Sequence, residues 1–110
     1  MSPHGELDPT LREIVDRIVS GFSPLRIILF GSRARGNAGP DSDVDLLVVT
    51  DRPGSKRKQA VAIDLALADI RVAKDVIVVG VEELEGDRDV VGTIAYPACR
   101  EGIVLYDRAA

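Results

Sequence analysis

The stretch from Ile27 to Val49 constrains this chain more than any other: IILF, GSRARG, NAGPDS and DVDLLVV follow one another without interruption. The short aliphatic run 25–30 predicts a strand buried on both faces. Gly31 opens a turn, Ser32 to Arg35 a short helical turn, and the Gly/Pro/Asp/Ser-containing stretch 37–42 a loop. A second strand is expected over 43–50, and it begins with two aspartates two residues apart. Side chains alternate along a strand, so Asp43 and Asp45 share one face while Val44 and Leu46 take the other. Two adjacent carboxylates repel unless a positive charge lies between them. A divalent cation such as Mg²⁺, which takes oxygen ligands and keeps substrate phosphates in its shell, answers that need. The Gly-Ser turn just upstream is the kind of backbone that receives a phosphate.

The rest of the chain supplies the scaffold for this block. Residues 1–7 are expected to be a loose terminus. Asp8-Pro9 starts a helix, with Asp8 as cap and Pro9 at its first position. Leu11, Ile14, Val15, Ile18 and Val19 recur along one helical face, and Ser20-Gly21 is read as its stop. Beyond the second strand, Pro53-Gly54-Ser55 breaks the chain and offers Ser55 as a cap. Val61, Ile63, Leu65, Leu67 and Ile70 are expected to line a long helix lying on the sheet. A third strand over 75–79, DVIVV, also begins with an aspartate. A short helix over 81–84 follows, then helical character over 90–101 that Pro97 kinks or restarts. Gly102 ends it, and 103–106 reads as a final strand at a sheet edge. Strand and helix patterns alternate, which predicts an α/β or α+β sandwich with at least one helical layer.

If the strands opened by Asp45 and Asp75 are neighbours, three carboxylates converge at one end of the sheet. Such a set can hold two metal ions about 3.5–4 Å apart, the arrangement used for in-line nucleotidyl displacement. From Arg26 to Lys58 there are seven Lys or Arg against four Asp, a local excess of +3 in a chain of net charge −4. That suits a magnesium-bound triphosphate near the aspartates, while Lys56, Arg57 and Lys58 also read as a solvated helix end. The acidic balance of the whole argues against direct nucleic-acid binding.

The chain is expected to form one domain over its 110 residues, and a hydrophobic fraction of 45% without Trp suits α/β packing. A lone cysteine, Cys99, fits a reducing cytoplasm and reads as a small buried residue. No apolar run approaches the ~20 residues of a membrane span. The only histidine, His4, lies in the N-terminal stretch, which excludes a histidine-based triad or zinc site. The 31–36 segment lacks the Gly-Lys-Ser/Thr ending of a Walker loop. Gly31 on its own also reads as a tight turn, and Ser32 as a cap.

The segment GSRARGNAGPDSDVDLLVV resembles the signature of the minimal nucleotidyltransferases of the DNA polymerase β-like superfamily. The matching residues are Gly31, Ser32, Arg35, Gly36, Ser42, Asp43, Asp45 and Leu46, with Asp75 as the later aspartate, and CREGIVLYD resembles the family's closing segment. The resemblance implies the nucleotidyltransferase fold, a mixed β-sheet with helices packed mainly on one face. It implies that Asp43, Asp45 and Asp75 are catalytic and bind two Mg²⁺ ions. Gly31 and Ser32 would hold the β- and γ-phosphates, with Arg35 and Ser42 in the same nucleotide-binding motif. The implied reaction moves AMP from ATP to an acceptor and releases pyrophosphate.

Larger members of the superfamily carry added domains that hold an antibiotic or a primer–template, whereas nothing follows Ala110 here, so the acceptor is expected to supply the other wall of the site. Chains of this form resemble the MntA-like antitoxin half of HEPN–MNT toxin–antitoxin pairs, in which a tyrosine of an RNA-cleaving HEPN partner is adenylylated. Two other functions stay open on the sequence. One is a non-catalytic antitoxin that neutralises its partner by occlusion. The other is nucleotidyl transfer to a small molecule such as an aminoglycoside, with help from a separate helical subunit.

Overall fold

The computed structural model describes residues 8–36 and 43–109. Pro9 at the first helical position presets the backbone, and α1 runs Pro9–Phe22 with Leu11, Ile14, Val15 and Ile18 buried. The side chain of Asp8 makes no capping hydrogen bond, so the proline alone marks the start. The helix also passes through the Ser20-Gly21 expected to stop it. It ends at Ser23, which takes the left-handed conformation at φ 48° and returns its N–H to Val19. Phe22 has an apolar surface to pack against, and that contact extends the helix by its last residues.

Strand β1 (Arg26–Phe30) leads through Gly31 into α2 (Ser32–Arg35). Strand β2 (Val44–Thr50) pairs antiparallel with β1, and helix α3 (Lys56–Ala66) then crosses to β3 (Lys74–Gly80), which lies parallel to β2. Two short helices, α4 (Val81–Asp87) and α5 (Ala95–Glu101), precede β4 (Ile103–Asp107), which pairs antiparallel with the free side of β1. Among the described residues these make a mixed four-stranded sheet in the order β3-β2-β1-β4. Pro97 falls in the first turn of α5, where its missing N–H costs nothing, so it restarts a helix rather than kinking one.

Alternation along the strands sorts the core into two layers. Ile27, Leu29, Val44, Leu46, Val48, Val76 and Val78 meet α1 and the Ile63 and Leu67 side of α3. Ile28, Leu47, Val49 and Val79 turn the other way, beneath Leu84 of α4 and Ala95 and Ala98 of α5. The two longest helices thus share one face, and the two short ones cover part of the other. Each fully buried Leu or Ile contributes roughly 1.5–3 kcal/mol relative to exposure. At Gly102 a Cβ would run into the Ala98 carbonyl and the Ile28 side chain, so a residue without one is needed where α5 meets β1. Cys99 is half-buried against the second layer rather than fully enclosed.

Helix α3 departs from its expected pattern. Ile63 and Leu67 are buried and Ile70 packs on the core, but Val61 is 51% exposed and Leu65 72% exposed. Residues two apart on a helix face opposite ways, so an alternating series cannot lie on one face. Ser55 does cap it, its hydroxyl accepting from the Lys58 N–H at 3.1 Å.

Candidate active site

Strand β2 sits between two neighbours, and every one of its residues is buried except Asp45. A carboxylate in the middle of such a strand would carry a heavy desolvation cost. Asp45 avoids it by standing at the end of the sheet, opposite Phe30 at the last step of β1. The chain then turns at Gly31 with φ +76°, a left-handed conformation that disfavours any residue with a Cβ. A Cβ built on Gly31 would overlap the Asp45 carboxylate and lie 3.2 Å from its Cγ. Glycine therefore serves twice here, once for the turn and once to admit Asp45. The Gly31 carbonyl accepts from the Ala34 N–H at 3.1 Å, starting α2 directly beside the carboxylate.

On the other flank, Asp45 is in register with Asp75 across the parallel β2–β3 pair. Register partners on strands about 4.8 Å apart direct their side chains to the same face. That face is the one which α4 and α5 cover further along the sheet, and on it Asp45 is half-buried and Asp75 exposed. Asp43 stands two residues before Asp45, exposed, just ahead of β2. The structure thus brings Asp45 and Asp75 together beside Gly31 and sets Asp43 at the approach. Among the described residues, no three His, Cys, Asp or Glu side chains are gathered closely enough to enclose a cation. Ser32 and Arg35 belong to the backbone of α2, while Ser42 lies outside the described residues.

Of the basic segment noted in the sequence, Arg33 and Arg35 lie on α2 next to Gly31, while the remainder sits elsewhere. Arg26 pairs with Val49, and Lys56 to Lys58 follow the far end of β2, at about 3.3 Å of strand per residue from Asp45. Lys56 Nζ donates to the carbonyls of Arg52 at 3.2 Å and Gly54 at 3.4 Å, and Arg57 and Lys58 are exposed. They form the solvated helix end.

One further carboxylate was not singled out by its sequence context. Asp64 on α3 is held above the ordinary carboxylate range, first by partial burial and then by the negative charge of Asp75, with Lys74 opposing. Nothing in the helical pattern around it signals this, because the proximity comes from the crossover connection that returns α3 to β3.

The model of the nucleotidyltransferase domain family matches residues 9–95, from the first helix to the start of α5. This chain belongs to that family. The nucleotidyltransferase domain is 27% identical to a Sulfolobus solfataricus protein described as a nucleotidyltransferase, at TM-score 0.62, over 91% of this chain and 79% of that one. It also resembles a toxin–antitoxin structure with AMP-PNP, at 18% identity and TM-score 0.57 over 87% of this chain and 72% of the other. A double aspartate-to-glutamate mutant of the toxin–antitoxin MntA-HpeT matches at 16% identity and TM-score 0.58, over 87% and 72% of the two chains. At that identity the last two likenesses concern the fold. No curated protein matches the chain significantly. No helix among the described residues is long and apolar enough to cross a membrane.

Proposed function

We propose that this nucleotidyltransferase transfers AMP from ATP to a protein hydroxyl, a tyrosine of an HEPN toxin partner, and so acts as the antitoxin of the pair. The observation that carries the reading is the register of Asp45 with Asp75 beside a glycine that leaves room for the Asp45 carboxylate. The family membership supports the class of reaction, and the toxin–antitoxin neighbours, one of them with AMP-PNP, support the nucleotide and the partner.

The donor set fits Mg²⁺ in kind, because Asp43, Asp45 and Asp75 offer hard oxygen ligands. Held by these three aspartates, two Mg²⁺ ions would supply charge neutralisation along the triphosphate and acidify the attacking hydroxyl. Gly31 and Ser32 are assigned to the β- and γ-phosphates, and Arg35 and Ser42 to the nucleotide, on the strength of the GSRARG…SDVD motif. The tyrosine oxygen attacks the α-phosphorus, the bond to the bridging oxygen breaks, and pyrophosphate leaves with its electron pair. The hydroxyl proton passes to a carboxylate or to water. The chain's own work is to fix the carboxylates on a rigid sheet end, so that the triphosphate is ordered before the acceptor arrives.

Co-expression with the toxin, followed by intact-mass measurement of both proteins, tests this. An added mass of one or more AMP groups on the toxin, absent with Asp43→Asn or Asp45→Asn, is the expected result. Protection of cells by the same variants without modification of the toxin would establish occlusion instead. Added AMP on an antibiotic rather than on a protein would establish a small-molecule acceptor.

A further inference from the structure

Lys74 is the first residue of β3, in register with Val44, and the next residue is Asp75, in register with Asp45. Because side chains alternate, Lys74 is directed to the face covered by α1 and α3 while Asp75 turns to the opposite face, where it is exposed. Its ammonium reaches back to the turn that follows α3, donating to the Ile70 carbonyl at 2.7 Å and the Val72 carbonyl at 2.9 Å. Residues past a helix C-terminus have carbonyls without helical partners, and a charged donor satisfies them more strongly than a neutral one. The same turn is closed by the Val72 N–H on the Ile70 carbonyl at 2.9 Å, and it is tied to the sheet by the Val44 N–H on the Ala73 carbonyl at 2.8 Å.

These bonds converge on the point where the chain leaves the α3 connection and enters β3. That point is the first of the seven register pairs between β2 and β3. A slip of one residue would send Asp75 to the helix-covered face and bring Lys74 to the position beside Asp45. No sequence motif marks Lys74, and the nucleotidyl-transfer reading leaves it without a part.

We propose that Lys74 is a positioning residue for nucleotidyl transfer: by pinning the 70–72 turn it holds Asp75 in register beside Asp45. The inference rests on the reading of these aspartates as the metal–nucleotide site. A lysine that merely capped the turn would contribute to stability and leave the site's affinity for a metal unchanged. A lysine that sets the register affects the metal when Asp75 is displaced, as supporting residues of metal ligands do.

The test compares wild type with Lys74→Met, which keeps the stem and removes the donors, and Lys74→Arg, which keeps a charged donor. Binding of Mn²⁺ in the presence of AMP-PNP is measured by calorimetry well below the melting temperature of each protein. Lys74→Met is expected to weaken Mn²⁺ binding by roughly 10-fold or more, and Lys74→Arg to restore most of it. A lower melting temperature for Lys74→Met with unchanged Mn²⁺ affinity overturns the proposal. Should Lys74→Met not fold, Lys74→Gln, which keeps a shorter neutral donor, is judged by the same two criteria. If wild type and Asp45→Asn bind Mn²⁺ and AMP-PNP equally poorly, the metal–nucleotide reading itself fails, and that outcome is distinct from a loss confined to the Lys74 variants.

Discussion

Gly31 joins two requirements that come from different parts of the chain. Its φ of +76° belongs to the turn after β1, and the space at its Cα belongs to Asp45. The turn was legible in the sequence, because a Gly-Ser pair closes an aliphatic run. The close approach of Asp45 was not, because it depends on how β1 and β2 pair. Gly31→Ala is expected to destabilise the fold by roughly 1–2 kcal/mol from the backbone conformation alone. Its effect on AMP transfer, measured at a temperature where the variant remains folded, is expected to exceed that loss because the Asp45 carboxylate must move. Asp64 gives a prediction of opposite sign. Its pKa is raised by burial and by Asp75, so the fold disfavours its ionised form. Its contribution to stability is therefore present below the ordinary carboxylate range and is lost as the pH rises through its raised value. Asp64→Asn should raise the melting temperature at neutral pH and give no gain in acid. The size should be only a few tenths of a kcal/mol, since solvent screens a largely exposed group. Equal shifts at both pH values would contradict the assignment.

At the scale of elements, α3 shows what periodicity resolves and what it misses. The apolar residues at 61, 63, 65 and 67 announce burial, but their alternation splits them between two sides of a helix, and only Ile63 and Leu67 reach the sheet. Leu67→Ala is expected to cost about 2–5 kcal/mol in denaturant unfolding. Leu65→Ser, on the exposed side, is expected to stay within about 0.5 kcal/mol. A polar bridge joins the same helix region to α1: Arg17 donates to the Ala66 carbonyl at 3.1 Å and pairs with Glu13 and Asp69. Its side chain is 33% exposed, and Arg17→Ala should lower stability by less than about 1 kcal/mol without altering transfer. Element ends followed the strength of their local signals. Pro9 and Ser55 marked real starts, whereas α1 runs one residue past Gly21 to Phe22, which packs on the core.

Across the whole molecule, the strands themselves were readable as aliphatic runs, but their order was not. The β3-β2-β1-β4 order depends on a parallel crossover through α3 and on β4 returning to the free edge of β1, neither of which a local pattern encodes. The same topology decides which charges reach the site. It sets Asp75 beside Asp45 and carries Lys56, Arg57 and Lys58 to the opposite end, although the sequence clusters them with the aspartates. In the proposed function, this sheet end orders a nucleoside triphosphate for attack at its α-phosphorus. Parallel reactions with α-labelled and γ-labelled ATP, in the presence of Mg²⁺ and the toxin partner, decide the point. The α-label should appear on the partner and the γ-label in free pyrophosphate, and Asp45→Asn should reduce transfer by at least about 100-fold. Transfer of the γ-label to the partner, or undiminished α-label transfer by Asp45→Asn, would contradict it.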